Sequence, residues 1–363
     1  MRISMTLIGA LGALLFATAA AGGEPAADSA DATILLKEVE LTVHDDGRVD
    51  RRIHTVTRLH TLYAVNRLGD PRIEYDLAHQ ELSVLAARTI TADGRTLDAP
   101  AYAMNRSTPD AVAVCPDFAG IGELVVTFMG LEKEAVTELQ YVVRDKVPWR
   151  PHGEIEFYFG DRFPVDESRL KVRVPARSNL HKSVLSQGET ITEAGPVHEQ
   201  AAATYQWTAA KLPGYTDHGW DKPLRVPHIV VSTAPHWADL LEPLAAGTVS
   251  LSSYPHWKEL LPHLLPPDKP ATSDAALFAL LVKGFKNSLR IVQLGPGALP
   301  LSPRLLPRVA ESRCATPLES ALLLASALDD AGLHPTVLLA TAALPPGDAA
   351  PPPAAGLPWP ATP

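Results

Sequence analysis

Between Ala32 and Thr61 apolar and polar positions alternate in two runs. Val39, Leu41 and Val43 mark the first run, Val49, Ile53 and Val56 mark the second, and Asp45-Asp46-Gly47 separates them. A side-chain period of two broken by a turn-forming triplet predicts a β-hairpin. Similar runs recur over Glu81 to Thr91, Glu123 to Phe128, Val136 to Asp145, Glu154 to Phe159, Leu170 to Val174 and Ala203 to Trp207, punctuated by Gly, Pro and Asp. Short strands at this spacing predict an α+β chain whose first domain, residues 32–232, is an antiparallel β-sandwich.

Behind that block the period changes. Pro235-His236-Trp237 and Pro255-His256-Trp257 each open a short apolar run, so residues 233–267 are expected to be a helical connector with a proline in each first turn. The repeat makes Trp237 and Trp257 candidate binding residues; packing on a neighbouring domain explains them as well. A linker over Asp268 to Thr272 precedes a helix from Ser273 to Asn287, where Leu277, Leu280, Leu281 and Gly284 fall at helical spacing. The strand Leu-Arg-Ile-Val-Gln-Leu and a proline-punctuated loop from Gly295 to Arg308 follow. The last helix has the strongest signal: Thr316 as cap, Pro317 in the first turn, Glu319 completing a capping box, and Gly332 at the end. His334 to Ala340 is expected to be a buried strand, and residues 342–363 a proline- and alanine-rich tail.

Composition narrows the function classes. Arg2, the apolar run Leu7 to Ala17 and the small residues Ala19-Ala20-Ala21-Gly22 have the layout of a secretory signal over residues 1–21, so a periplasmic or secreted product is expected. That run is too short for a bilayer, and charged residues or prolines interrupt every later candidate, so no membrane span is expected. With 363 residues, two domains are expected. The net charge of -9 and the dispersed basic residues argue against nucleic acid and leave a protein or peptide as partner. Cys115 and Cys314 are two distant cysteines in a large chain, expected to be free thiols rather than a bridge. The 13 histidines show no ligand spacing, so neither metal nor cofactor is expected. Gly120-Ile121-Gly122 is expected to be a turn, and Glu154 with Glu156 two solvated carboxylates on one strand face.

The order of helix, Ile-Val-Gln-Leu strand, proline loop, Cys314, capped apolar helix and Val-Leu-Leu-Ala strand resembles the front half of a transglutaminase-like core, here over 268–341. The β-rich block, with ELSVLAARTITADGRTL, ELVVTFMGLEKEAVTELQYVVRDK and VVSTAPHWADL, resembles domain-of-unknown-function family 3857. The first resemblance implies a papain-like site, with a cysteine at a helix N-terminus activated by a later histidine and aspartate. Cys314 is the matching candidate nucleophile. Ser312-Arg313 stands where the family has Gly-Asp, the family's spacing back from Gly332 falls on Pro317, and His334 is the last histidine. Two readings follow: an exported, non-catalytic binding or structural module on a degenerate or truncated core, or an amide-bond enzyme whose histidine and aspartate lie in further sequence.

Overall fold

The computed structural model describes residues 30–186, 188–199, 201–215, 225–235, 273–295, 297–298, 303–330, 332–333 and 335. The signal-like start, the 233–267 connector with Trp237 and Trp257, the strand expected from His334 and the 342–363 tail lie outside the described residues, apart from short margins.

The strands in chain order are β1 (Ala32–Val43), β2 (Val49–Leu59), β3 (Arg72–Asp76), β4 (Gln80–Ile90), β5 (Thr96–Asp98), β6 (Met104–Ser107), β7 (Ile121–Val126) and β8 (Val136–Asp145). They continue as β9 (Glu154–Tyr158), β10 (Val165–Pro175), β11 (His181–Leu185), β12 (Thr192–Glu199), β13 (Ala202–Leu212), β14 (His228–Ser232), β15 (Arg290–Ile291) and β16 (Cys314–Ala315). The described helices are α1 (Leu62–Leu68), α2 (Asp274–Ser288), α3 (Leu306–Ser312) and α4 (Pro317–Asp330). The chain is α+β, dominated by strands.

β1 and β2 form the expected hairpin, with Val43 opposite Val49. Gly47 closes its turn at φ +87°, where a Cβ would be strained. On its other side β1 pairs with β10 in parallel, from Ile34 opposite Val165 to Thr42 opposite Arg173. The eight-stranded sheet, ordered β12-β13-β10-β1-β2-β8-β4-β5, is therefore mixed. This corrects the expectation of a wholly antiparallel block. Alternation encodes which face of a strand is buried; it carries no information on a neighbour's direction.

The two faces of that sheet differ as an amphipathic sheet should. On one, Leu41, Leu170, Val172 and Trp207 share a core with Phe157, Ile229 and Val231 of the sheet β11-β14-β9. Each such side chain stabilises the fold by about 1.5–3 kcal/mol relative to exposure. The other face is laced by ion pairs. Arg88 meets Glu138 at 2.6 Å, Glu138 meets His54 at 3.0 Å, and Glu38 joins His54 at 3.8 Å to Arg169 at 2.9 Å. That row crosses five strands, yet each partly exposed pair adds only about 0–1 kcal/mol. A third sheet, β3-β7-β6, packs Ile73, Leu124 and Val126 with Ala87 of β4.

The helices have a separate core of Leu281, Phe285, Leu306, Val309, Leu322 and Leu323. α3 lies partly inside the expected proline loop. Pro307 sits in its first turn, where a missing N–H is harmless, so a residue that signals a loop here opens a helix. The expected Leu-Arg-Ile-Val-Gln-Leu strand is ladder-paired only at β15, which runs parallel to β16.

Candidate functional site

The segment Thr108–Gly120 joins β6 to β7 and brings the two parts of the chain together. Val112, Cys115 and Phe118 from this strap, with Ile121, are buried in one cluster with Val292, Ala298 and Cys314. The site indicated by the sequence, the N-terminus of α4, lies against it.

The capping box is present. Thr316 Oγ1 accepts from the Glu319 backbone N–H at 3.2 Å, and Glu319 Oε2 accepts from the Thr316 N–H at 2.8 Å. The same carboxylate is gripped by Arg304, through Nε to Oε1 at 2.9 Å and Nη2 to Oε2 at 2.8 Å, while the Arg304 backbone N–H also donates to Oε1. Arg304 further donates to Asp117 Oδ2 at 2.5 Å and to the Cys314 carbonyl at 2.6 Å. Its guanidinium lies 4.4 Å from the centre of the Phe118 ring. Arg308 also pairs with Asp117. Burial pushes the Glu319 carboxyl up, but the bonds from Arg304 and from the Thr316 amide outweigh it and hold the group below the ordinary carboxylate range.

Cys314 stands in β16, outside this capped turn. Its sulfur is bonded to Cys115, with Cα atoms 5.8 Å apart, and the two residues are 3% and 1% exposed. The free-thiol expectation is thereby corrected. Sequence alone did not favour the bridge over free thiols, because the bridge spans 199 residues and one partner sits in an irregular strap. The chemical consequence is direct: a disulfide sulfur offers no thiolate, so in this state Cys314 is not an attacking group. The helix end is occupied as well, since Thr316 and Glu319 take part in its capping and Pro317 holds its first position. His334 and the two candidate tryptophans lie outside the described residues.

A second polar cluster surrounds the Glu154 and Glu156 pair expected from the sequence. Around β9, Ile155, Phe157 and Phe159 belong to the core, while Glu154, Glu156 and Tyr158 point to the opposite face. The expected pair of solvated carboxylates is corrected here: Glu154 is 5% exposed, and the Glu156 side chain is 15% exposed. Burial drives the Glu154 carboxyl up to about 7, against the pull of Arg150 and Arg51. Nearby, Asp145 accepts from the Val49 backbone N–H at 3.0 Å, Trp149 Nε1 at 3.0 Å and Gln80 Nε2 at 3.2 Å. Tyr158 donates to Glu156 at 2.5 Å, and its ring stacks on His228 at 4.9 Å. His228 Nδ1 lies 3.0 Å from the Val226 carbonyl, which can only accept, so that nitrogen carries the hydrogen. Among the described residues, no three His, Cys, Asp or Glu side chains are grouped to hold a metal ion.

The raised Glu154 predicts a pH dependence. In the folded chain this group keeps its proton up to about pH 7, whereas an unfolded glutamate releases it near pH 4.5. The fold therefore binds the extra proton between those values, and stability falls as pH rises through that window. Glu154→Gln should remove this part of the fall, on the order of 2–3 kcal/mol. Urea unfolding of both proteins at pH 5 and pH 8 checks it; equal pH dependence would refute the assignment.

Residues 45–216 match the family "Domain of Unknown Function with solved-structure structure (DUF3857)". No curated protein matches the chain. Among solved structures it is similar to a "putative protease" from Parabacteroides distasonis, with 22% identity, a TM-score of 0.67, and coverage of 83% of this chain and 59% of that one. The likeness is one of fold, and the chain spans 59% of that protein's length. An M1 zinc metallopeptidase from Deinococcus radiodurans matches at 12% identity and a TM-score of 0.30, covering 56% of this chain and 42% of its own, too distant to inform fold or chemistry.

Proposed function

For a chain whose residues 45–216 belong to the DUF3857 family, we propose the role of an exported, non-catalytic binding or structural module of the cell envelope. In this reading the strand-rich part is a β-sandwich that presents contact surfaces to a protein or peptide. The helical part keeps a transglutaminase-like core without its chemistry. One observation carries the proposal: the candidate nucleophile Cys314 is bonded to Cys115, and the adjacent helix end is closed by Thr316, Glu319 and Arg304. The signal-like start of the chain supports export.

The second reading, an amide-bond enzyme, draws on the fold shared with the structure described as a "putative protease". Glutamine-containing peptides separate the two. Ammonia or amine release should be no greater from the wild-type protein than from Cys314→Ala, both as isolated and after treatment with dithiothreitol. Release that Cys314→Ala abolishes would reject the non-catalytic reading.

A further inference from the structure

The strap Thr108–Gly120 grips the helices without a ladder. Its internal amides close locally, from Val112, Cys115 and Phe118 to carbonyls three residues back. Tertiary hold comes from its side chains and three carbonyls: Asp117 to Arg304 and Arg308, the Asp110 and Ala111 carbonyls to Arg290 at 2.8 and 3.3 Å, and the Gly120 carbonyl at its far end to the Leu77 N–H at 2.8 Å. The remaining tie is covalent. Ala113, Val114 and Pro116 are exposed on either side of Cys115, so the bridge lies close beneath the surface.

We propose that the Cys115–Cys314 bridge is a reducible latch, whose opening by a dithiol frees the strap while the helices stay folded. The division of the cores supports this. Both cysteines belong to the cluster under the strap, and neither belongs to the Leu281, Phe285, Leu322 and Leu323 core that holds α2, α3 and α4 together. An irregular surface segment tied by few buried residues opens at lower free energy than a packed core. The reaction balances as thiol–disulfide exchange. One thiolate of the dithiol attacks a sulfur of the bridge and forms a mixed disulfide, and the second thiol then displaces the remaining cysteine. Two electrons and two protons pass to the pair, leaving Cys115 and Cys314 as thiols and the dithiol as its own disulfide. Release withdraws Val112 and Phe118 with the strap and uncovers an apolar patch of Val292 and Ala298 around the Cys314 thiol, beside the Arg304 guanidinium. The latch goes beyond the non-catalytic reading and stands whether or not that reading holds.

Hydrogen exchange with mass spectrometry on the full chain tests it, in the oxidised protein, in dithiothreitol and in Cys115→Ser. Amides of the strap should exchange on the order of tenfold faster in dithiothreitol and in Cys115→Ser, with those of α2 and α4 unchanged. Cys314 should then become alkylated by iodoacetamide. Unchanged strap exchange in both states would overturn the latch. So would loss of protection in α2 and α4 together with the strap, or a bridge that dithiothreitol cannot open in the folded protein.

Discussion

Arg304→Ala is expected to lower stability by about 3–5 kcal/mol near pH 7, the usual cost of removing one partner from a buried ion network. The reason lies in what remains. The side chains of Glu319 and Asp117 are 2% and 6% exposed, and the Cys314 carbonyl loses the shorter of its hydrogen bonds, keeping Ser312 Oγ at 3.3 Å. Arg308 still reaches Asp117, but its side chain is 57% exposed and supplies less. Arg304→Lys should recover part of the loss, because an ammonium restores the charge without the two-pronged grip on Glu319.

The pH dependence separates this loss from simple loss of packing. Glu319 is held below its ordinary value in the fold, so its contribution is present above about pH 4.5 and is lost as pH falls through its folded value. In Arg304→Ala the stranded carboxylate takes up its proton more readily, so the gap between variant and wild type should narrow towards pH 4. Urea midpoints measured across that range decide it. A gap that stays constant would mean that Arg304 acts through its stacking on Phe118 rather than through the carboxylates.

How much of this was legible in the sequence depended on the range of the interaction. The Thr316 cap, Pro317 and Glu319 form a local device within four positions, and the structure forms it as expected. The β1–β2 hairpin is equally local. The parallel neighbour of β1 is β10, far along the chain, and no residue pattern names it. The seven residues of α1 are too few for a periodicity to show. Near β9 the alternation was visible, but alternation separates two faces without saying that both are covered, which is why Glu154 looked solvated. Arg304 was hidden for a related reason. In the sequence it is one basic residue in a proline-rich loop, and its importance appears only when Asp117 and Glu319 arrive from opposite directions.

Cys115→Ala/Cys314→Ala is the other large expected effect. Closing a loop across 199 residues restricts the unfolded chain, and the entropic argument sets an upper value of about 5 kcal/mol. The double variant isolates that contribution better than a single one, which leaves an unpaired thiol in a buried site. Its loss should fall on the junction first, because the bridge joins the strap to the segment just before α4, while the Leu170, Val172 and Trp207 core lies elsewhere. Limited proteolysis should therefore cut the variant within Thr108–Gly120 before the strands of the large sheet are attacked. Intact mass of the wild-type protein, lower by the two hydrogens lost on oxidation, verifies the bridge independently. If the double variant matches the wild type in both unfolding midpoint and cleavage pattern, the strap is held by Asp117 and its arginines, and the sulfurs add no stability of their own.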